Sequence, residues 1–513
     1  MQMVKVKFLK TNSLRNVVGT IMHRGIRLNV RRILIWFFIT AGIFLRLKQF
    51  LSNRALWIDE ASLAMNIIDR PFSGLFQLLD YTQGAPVGFL MVEKLAIRTL
   101  GSSEYVLRLF PFICGIASIF IFYKVAQYYL DKNAVPVAVF LFSFSKGLIY
   151  YASETKQYSS DVAVTLLLFL VAIYVQTKPL NIFRMAAFAF IGAIAIWFSH
   201  PAIFILISIG TSLCVACLSN KDIPKVFSLL AVWLLWLMSF AVCYFVNLKG
   251  LINLKPMLDW WQNSFMSFPP NPIWLADSFL NFFQLHFNLS DIALLVFLIG
   301  GIVMFLKNKV NFTALFLPVI AVLAASAFHK FPFFGRLILF MVPITILFIS
   351  QGVEAVRAKT FNYFPLLSVV LIGVLFFSVF QGALDVQTNT KQEEVKTVFS
   401  YLKEHKQKDD FFFVFFTPAQ MFKYYSQRYG LGRVNIQGVP LWEDDELQGV
   451  EALKRLRGQK RVWILFFDLT SRRSFNKDKF FLYCADMMGT RLDFFKNRKA
   501  AAYLYDFNQE DRL

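Results

Sequence analysis

Residues 33–50 read ILIWFFITAGIFLRLKQF, and residues 51–61 continue LSNRALWIDEA. The first string is an apolar run close to the roughly 20 residues that cross a bilayer as a helix. The second ends on an acidic pair, Asp59-Glu60, placed just past that run. Upstream lie Lys5, Lys7, Lys10, Arg15, Arg24, Arg27, Arg31 and Arg32, with no small-residue cleavage site at the end of the run. The segment therefore reads as an uncleaved first span behind a basic cytoplasmic tail, residues 1–32, and not as a signal peptide.

The rest of the chain repeats the pattern. Of its 513 residues, 57% are apolar and 17% charged, against about a quarter charged in soluble domains, and Phe alone fills 60 positions. Mean hydropathy is +0.54. This balance excludes a disordered chain, a disulfide scaffold and a water-soluble enzyme. The net charge of +21 reports membrane topology and anionic head groups, not a nucleic-acid partner. The five cysteines show neither a disulfide framework nor zinc spacing.

Hydropathy predicts an all-α polytopic bundle of 11 spans: 33–50, 108–128, 134–151, 160–177, 183–199, 201–218, 226–246, 291–306, 312–328, 336–351 and 363–383. With the N-terminus inside, the short inner loops carry Lys132; Lys178 and Arg184; Lys221 and Lys225; Lys307 and Lys309; Arg357 and Lys359. Basic residues dominate each of these loops, as cytoplasmic loops require. Three long segments then face outward. Loop 51–107 contains Pro86 to Leu100, which Glu93, Lys94 and Arg98 interrupt; it reads as an amphipathic surface helix, not a further span. Segment 247–290 carries Trp260, Trp261, Pro269, Pro270, Pro272 and Trp274, rings that favour the head-group layer.

The third outer segment is the tail, 385–513, which follows a membrane module at 33–384. Glu393 to His405, Pro418 to Tyr429 and Asp445 to Leu456 have helical patterning, while Phe411 to Thr417 and Arg461 to Phe467 suit buried strands. A small soluble α/β domain is expected there.

Four polar constellations border the spans, where charge is costly and needs a reason. In Trp57-Ile58-Asp59-Glu60-Ala61, Asp59 either N-caps a helix starting at Glu60 or faces a cavity. Between spans three and four, Glu154, Tyr158 and Asp161 fall at i, i+4, i+7 and would share a helix face, with Lys156 between them. Before span ten, His329, Lys330 and Arg336 surround Pro332 and Gly335. A cation opening a helix opposes the macrodipole unless an anion joins it. His200-Pro201 is the fourth. The span count places all four on one side of the membrane. Carboxylates facing cations fit a reaction whose nucleophile loses a proton and whose leaving group is an anion.

That order of motifs resembles the GT-C glycosyltransferases, in particular the protein O-mannosyltransferase and lipid A aminoarabinose transferase families, over roughly residues 30–385. The resemblance implies a bundle of about a dozen helices with a membrane cavity for a polyprenyl-phosphate sugar. It implies Asp59 as catalytic base, Glu60 as the second acid, Arg336 as donor-phosphate contact and Lys156 as a further contact. Glu154, Tyr158 and Asp161 would orient sugar or acceptor hydroxyls, with His200, His329 and Lys330 in the same binding region. Transfer would be a single inverting displacement to a lipid, glycan or protein hydroxyl on the extracytoplasmic face. No metal cofactor is implied as essential, although two carboxylate clusters leave room for a divalent ion. The alternative is a transporter or flippase for lipid-linked saccharides, which would place polar groups at mid-membrane.

Overall fold

A computed structural model describes residues 29–178, 181–360, 365–388, 393–415, 419–431, 436–439, 446–467 and 472–508. The basic tail upstream of residue 29 lies outside them. Each of the predicted stretches holds an apolar helix. Seven helices are long and apolar enough to cross a membrane: α1 (Asn29–Leu51), Leu109–Tyr129, Tyr158–Thr177, Ala202–Ser219, Ile223–Leu251, Lys309–Ala327 and Gly335–Lys359. Pro272–Phe287 and Asp291–Lys307 pass the same test as one pair bent by 104°, and Ala134–Phe144, Ile182–Phe198 and Ile372–Gln387 are shorter. The chain is a multi-pass membrane protein.

Predicted span three is not one helix. It breaks at Ser145 into Ala134–Phe144 and Lys146–Tyr151. A broken helix frees carbonyls that lipid cannot satisfy. Arg46 of α1, 1% exposed, fills the gap: its guanidinium donates to Phe142 O and Ser143 O, both at 3.1 Å. Gly42, one turn earlier, lets the two helices close; a Cβ there would lie 2.8 Å from Ser143 Cβ. The break turns the chain into residues 152–157, a non-helical turn that carries Glu154 and Lys156 to the end of the bundle.

After α1 the chain runs irregularly through 53–57 and then forms α2, Ile58–Asp69. Two apolar clusters bury opposite sides of α2. Leu63 and Ile67 pack with Leu75, Leu79, Phe89 and Leu90 from the remainder of the loop. A helix does form at the expected place, the 14-residue α3, Val87–Leu100, about 21 Å long and so too short to span, but Glu93 and Lys94, expected on its polar face, are both buried. Ala61, Ala64 and Met65 instead join the core of the C-terminal unit, with Phe399, Phe422, Tyr425 and Trp463.

That unit contains helices Glu393–His405 and Ala419–Arg428 and strands Phe411–Phe415 and Val462–Phe467, as the sequence pattern predicts. It also contains Ile436–Val439, Thr490–Lys496 and Ala500–Asp506, which the pattern does not single out. Numbered β1 (Phe411–Phe415), β2 (Ile436–Val439), β3 (Val462–Phe467), β4 (Thr490–Lys496) and β5 (Ala500–Asp506), the strands form one mixed sheet in the order β2-β1-β3-β5-β4. β1 pairs parallel with β2 and β3, and β5 pairs antiparallel with β3 and β4.

Candidate active site

Helix α2 begins one residue before Asp59, and that decides what each carboxylate does. Trp57 is the N-cap, so Asp59 is not; Glu60, at the third helical position, reaches back to accept Trp57 N–H at 3.0 Å. This is the acidic half of a capping box. Glu60 is 0% exposed and receives Arg108 through two hydrogen bonds, Nε to Oε1 and Nη2 to Oε2, both 2.9 Å. Thr155 N–H adds a fourth bond at 2.9 Å. Burial raises the Glu60 carboxyl, but Arg108 and Arg54 outweigh it and hold the group at about 2. With both oxygens taken, Glu60 is a permanent anion that ties α2 to the turn at 152–157. It is not placed to act as the second catalytic acid of the sequence reading.

Asp59 is left facing outward. Its Oδ2 pairs with Arg336 Nη2, with the side chains 27% and 24% exposed respectively. The anion that Arg336 requires at the start of its helix is therefore supplied from 277 residues away. Glu154 Oε1 lies 4.0 Å from Arg336 Nη1, beyond hydrogen-bond range, and the Arg336 guanidinium sits over the Tyr158 ring at 5.6 Å. Lys156 is buried and donates to Gln83 Oε1 from the first loop. Asp59, Glu154, Lys156, Tyr158 and Arg336 thus form one cluster, built where α1 ends and where Tyr158–Thr177 and Gly335–Lys359 begin.

The charges divide the labour. Burial lifts the Asp59 carboxyl, but Lys156 and Arg336 pull harder and hold it below the usual carboxylate range, so it is ionised at neutral pH. Glu154 is pushed up to about 7, chiefly by burial and then by the Glu60 charge, against Arg336, Arg54 and Lys156. Among the described residues, its Oε2 is buried without a hydrogen-bond partner. Burial lowers Lys156 to about 8, though Asp59 and Glu154 favour its charged form.

Other predicted site residues lie elsewhere. The expected shared helix face fails for Glu154, because helix begins only at Tyr158. Asp161 is buried in that helix beside Ser199. His200 bonds Asn247 Oδ1 at 2.7 Å, and burial lowers it to about 4. His329 and Lys330 are exposed and terminate helix Lys309–Ala327: their amides donate to Ser326 O and Ala325 O, both at 2.9 Å. His329 takes φ +54°, a left-handed cap, and its ring packs on Phe265. These contacts account for the basic motif upstream of Arg336 as a helix end. Three residues that sequence reasoning missed complete the site wall: Gln83, Arg108, and Arg54, whose Nη2 donates to Ser153 O at 3.0 Å and whose guanidinium covers Tyr150 at 4.0 Å. Arg108, the last charge before an apolar run, was the one with a readable signal. Among the described residues, no group of three or more His, Cys, Asp or Glu side chains is arranged to hold a metal ion.

The architecture has solved counterparts. ArnT from Cupriavidus metallidurans superposes with a TM-score of 0.56 bound to undecaprenyl phosphate and 0.57 in the apo state. Identity is 11% in both, with 92% of this chain and 97% of that chain covered. The chain has the GT-C fold. The Archaeoglobus fulgidus oligosaccharyltransferase in complex with Zn and sulfate also matches, at TM-score 0.52 and 11% identity, over 92% of this chain and 73% of its own. No family model matches the sequence, and no curated protein matches it.

Proposed function

We propose that this protein is a membrane glycosyltransferase that moves a sugar, a hexose or pentose, from a polyprenyl-phosphate donor to an acceptor hydroxyl, with inversion, on the extracytoplasmic face of the cell membrane. In this reading residues 1–32 are cytoplasmic and the C-terminal unit from 385 lies outside. The observation that carries it is the convergence of Asp59, Arg336, Glu154 and Lys156 at one end of the bundle. The GT-C fold and the undecaprenyl phosphate bound by ArnT support the donor class.

The steps follow from the charges. Asp59 accepts the proton of the acceptor hydroxyl as its oxygen bonds to the anomeric carbon. The bond from that carbon to the phosphate oxygen breaks through an oxocarbenium-like state, and its electron pair leaves with the polyprenyl phosphate. Arg336 and Lys156 stabilise the departing anion, a role for fixed cations that needs neither a general acid nor a resident metal. Glu154 and Tyr158 flank the guanidinium and orient hydroxyls. Asp161 and His200, which lie elsewhere, take no part in these steps.

The direct test is incubation of the purified protein with synthetic polyprenyl-phosphate sugars. Sugar transferred to an acceptor, with polyprenyl phosphate left behind, is the expected result. Donor carried across a vesicle uncleaved would make it a flippase, and neither outcome would make it an assembly partner.

The pH dependence of donor use has a set sign. The donor is a phosphodiester and keeps one charge across neutral pH. Protonated Glu154 neither repels it nor competes for Arg336, so donor KM should be lowest in acid and rise as pH passes about 7. In Glu154→Gln that rise should disappear, leaving a later loss near pH 8 as Lys156 discharges. A wild-type KM that is flat from pH 6 to 9 would remove both groups from donor binding.

A further inference from the structure

The segment that leads into Asp59 carries its polar backbone through residues 53–57 without helix or strand, so each group needs an outside partner. Arg108 takes Arg54 O at 2.6 Å and Ala55 O at 3.3 Å. Trp57 is met from within α2, by Glu60 and Ala61 N–H, and Asn53 N–H by Phe50 O; two further partners come from the C-terminal unit. Leu56 N–H donates to Tyr425 Oη at 2.7 Å, and Asn53 O accepts from Lys396 Nζ. Tyr425 is 0% exposed and Leu56 1%, so no water substitutes for that phenol.

Around this point the attachment is broad. Lys396 and Arg428 hold Glu104 at 3.1 and 3.2 Å, Tyr424 Oη donates to Ser102 O at 2.9 Å, and Lys423 meets Asp69 at 2.8 Å. The Ala61, Ala64 and Met65 side of α2 lies in the same core as Phe399 and Tyr425. Tyr425 is singled out because its bond falls three residues before Asp59, at the only stretch of the approach that has no regular structure to hold it.

Resting on the transferase reading above, we propose that Tyr425 is a positioning residue for Asp59: the C-terminal unit, through this phenol, fixes the backbone from which the base projects. The unit then positions the base through this one phenol and is not merely an appendage. A base misplaced by a fraction of an ångström loses rate, while donor contacts made through Arg336 and Lys156, on other elements, persist.

The test uses the full chain in lipid nanodiscs. Tyr425→Phe keeps the ring, with its neighbours Phe399 at 5.1 Å and Tyr424 at 5.0 Å, and removes one oxygen. The expected result is a kcat lower by about tenfold with donor KM within about twofold. Amide exchange should speed up across 56–60, with β3 (462–467) unchanged. Lys423→Ala, which cuts an exposed docking pair remote from 53–57, should change neither quantity. Should Tyr425→Phe fold poorly, Lys396→Gln reads the same two quantities through Asn53. Unchanged kcat in a variant whose wild type transfers sugar overturns the positioning role alone. Faster exchange in β3 to the same degree as in 56–60 also overturns it, since that is general loosening. Absence of transfer by the wild type sinks the transferase reading, and the exchange pattern then still decides whether Tyr425 holds the segment.

Discussion

Asp59→Asn should reduce sugar transfer by about a thousandfold, within the range that loss of a general base produces, while membrane insertion and yield stay normal. Asn keeps the size and the hydrogen-bonding outline of the side chain but cannot take a proton. The ion pair it breaks is about three-quarters buried at both partners, but Asn still accepts from Arg336 and Glu154 lies 4.0 Å from the guanidinium, so the charge keeps polar partners and stability should change little. Donor affinity gives the sharper discrimination. Asp59 competes for Arg336 Nη2 with any phosphate bound there, so removing its charge should leave donor KM unchanged or lower it. A loss of kcat with retained or tighter donor binding is the signature of a base. A thousandfold rise in KM with intact kcat would mean that Asp59 only props Arg336. Turnover near the wild-type rate would remove it from the mechanism altogether.

Much of the bundle was legible because lipid imposes a simple rule on sequence. Runs such as 33–50 and 160–177 appear as helices within a few residues of where hydropathy places them. The meeting of Asp59 and Arg336 was legible too, since counting spans and loop charges puts both at the same membrane boundary. What remained hidden depends on contacts that no local pattern encodes. Glu60 and Asp59 are adjacent and chemically alike. Only the arrival of Arg108 and Thr155 makes one a buried strut and leaves the other facing outward. The helical spacing of Glu154 to Tyr158 predicts a shared helix face, yet one helix ends at Tyr151 and the next begins only at Tyr158, which puts Glu154 in a turn. His329 and Lys330 carry the charge of a binding motif but sit where a helix must end. In the tail, the pattern around Trp463 identified β3, whereas β4 alternates weakly at the sheet edge, with exposed Leu492 and Phe494, and β2 is four residues long.

Arg336→Ala should have the second large effect, on donor binding. A charge-assisted contact to phosphate contributes about 1.5–3 kcal/mol, so donor KM should rise roughly ten- to a hundredfold. Arg336→Lys should recover only part of this. Lysine restores a positive charge but not the planar fork that here presents Nη2 to Asp59 while Nη1 faces Glu154 at 4.0 Å. The two substitutions also separate charge from geometry through Glu154. Deleting the cation removes one of the influences that hold the Glu154 carboxyl down, so the pH at which donor KM rises should move upward in Arg336→Ala and return toward the wild-type value in Arg336→Lys. Donor KM measured across pH 6 to 9 in all three proteins reads both effects at once. Equal donor affinity in the three would refute the phosphate role. A raised KM with an unmoved pH midpoint would keep Arg336 on the donor but detach it from Glu154, leaving the carboxylate's titration to burial, Glu60, Arg54 and Lys156.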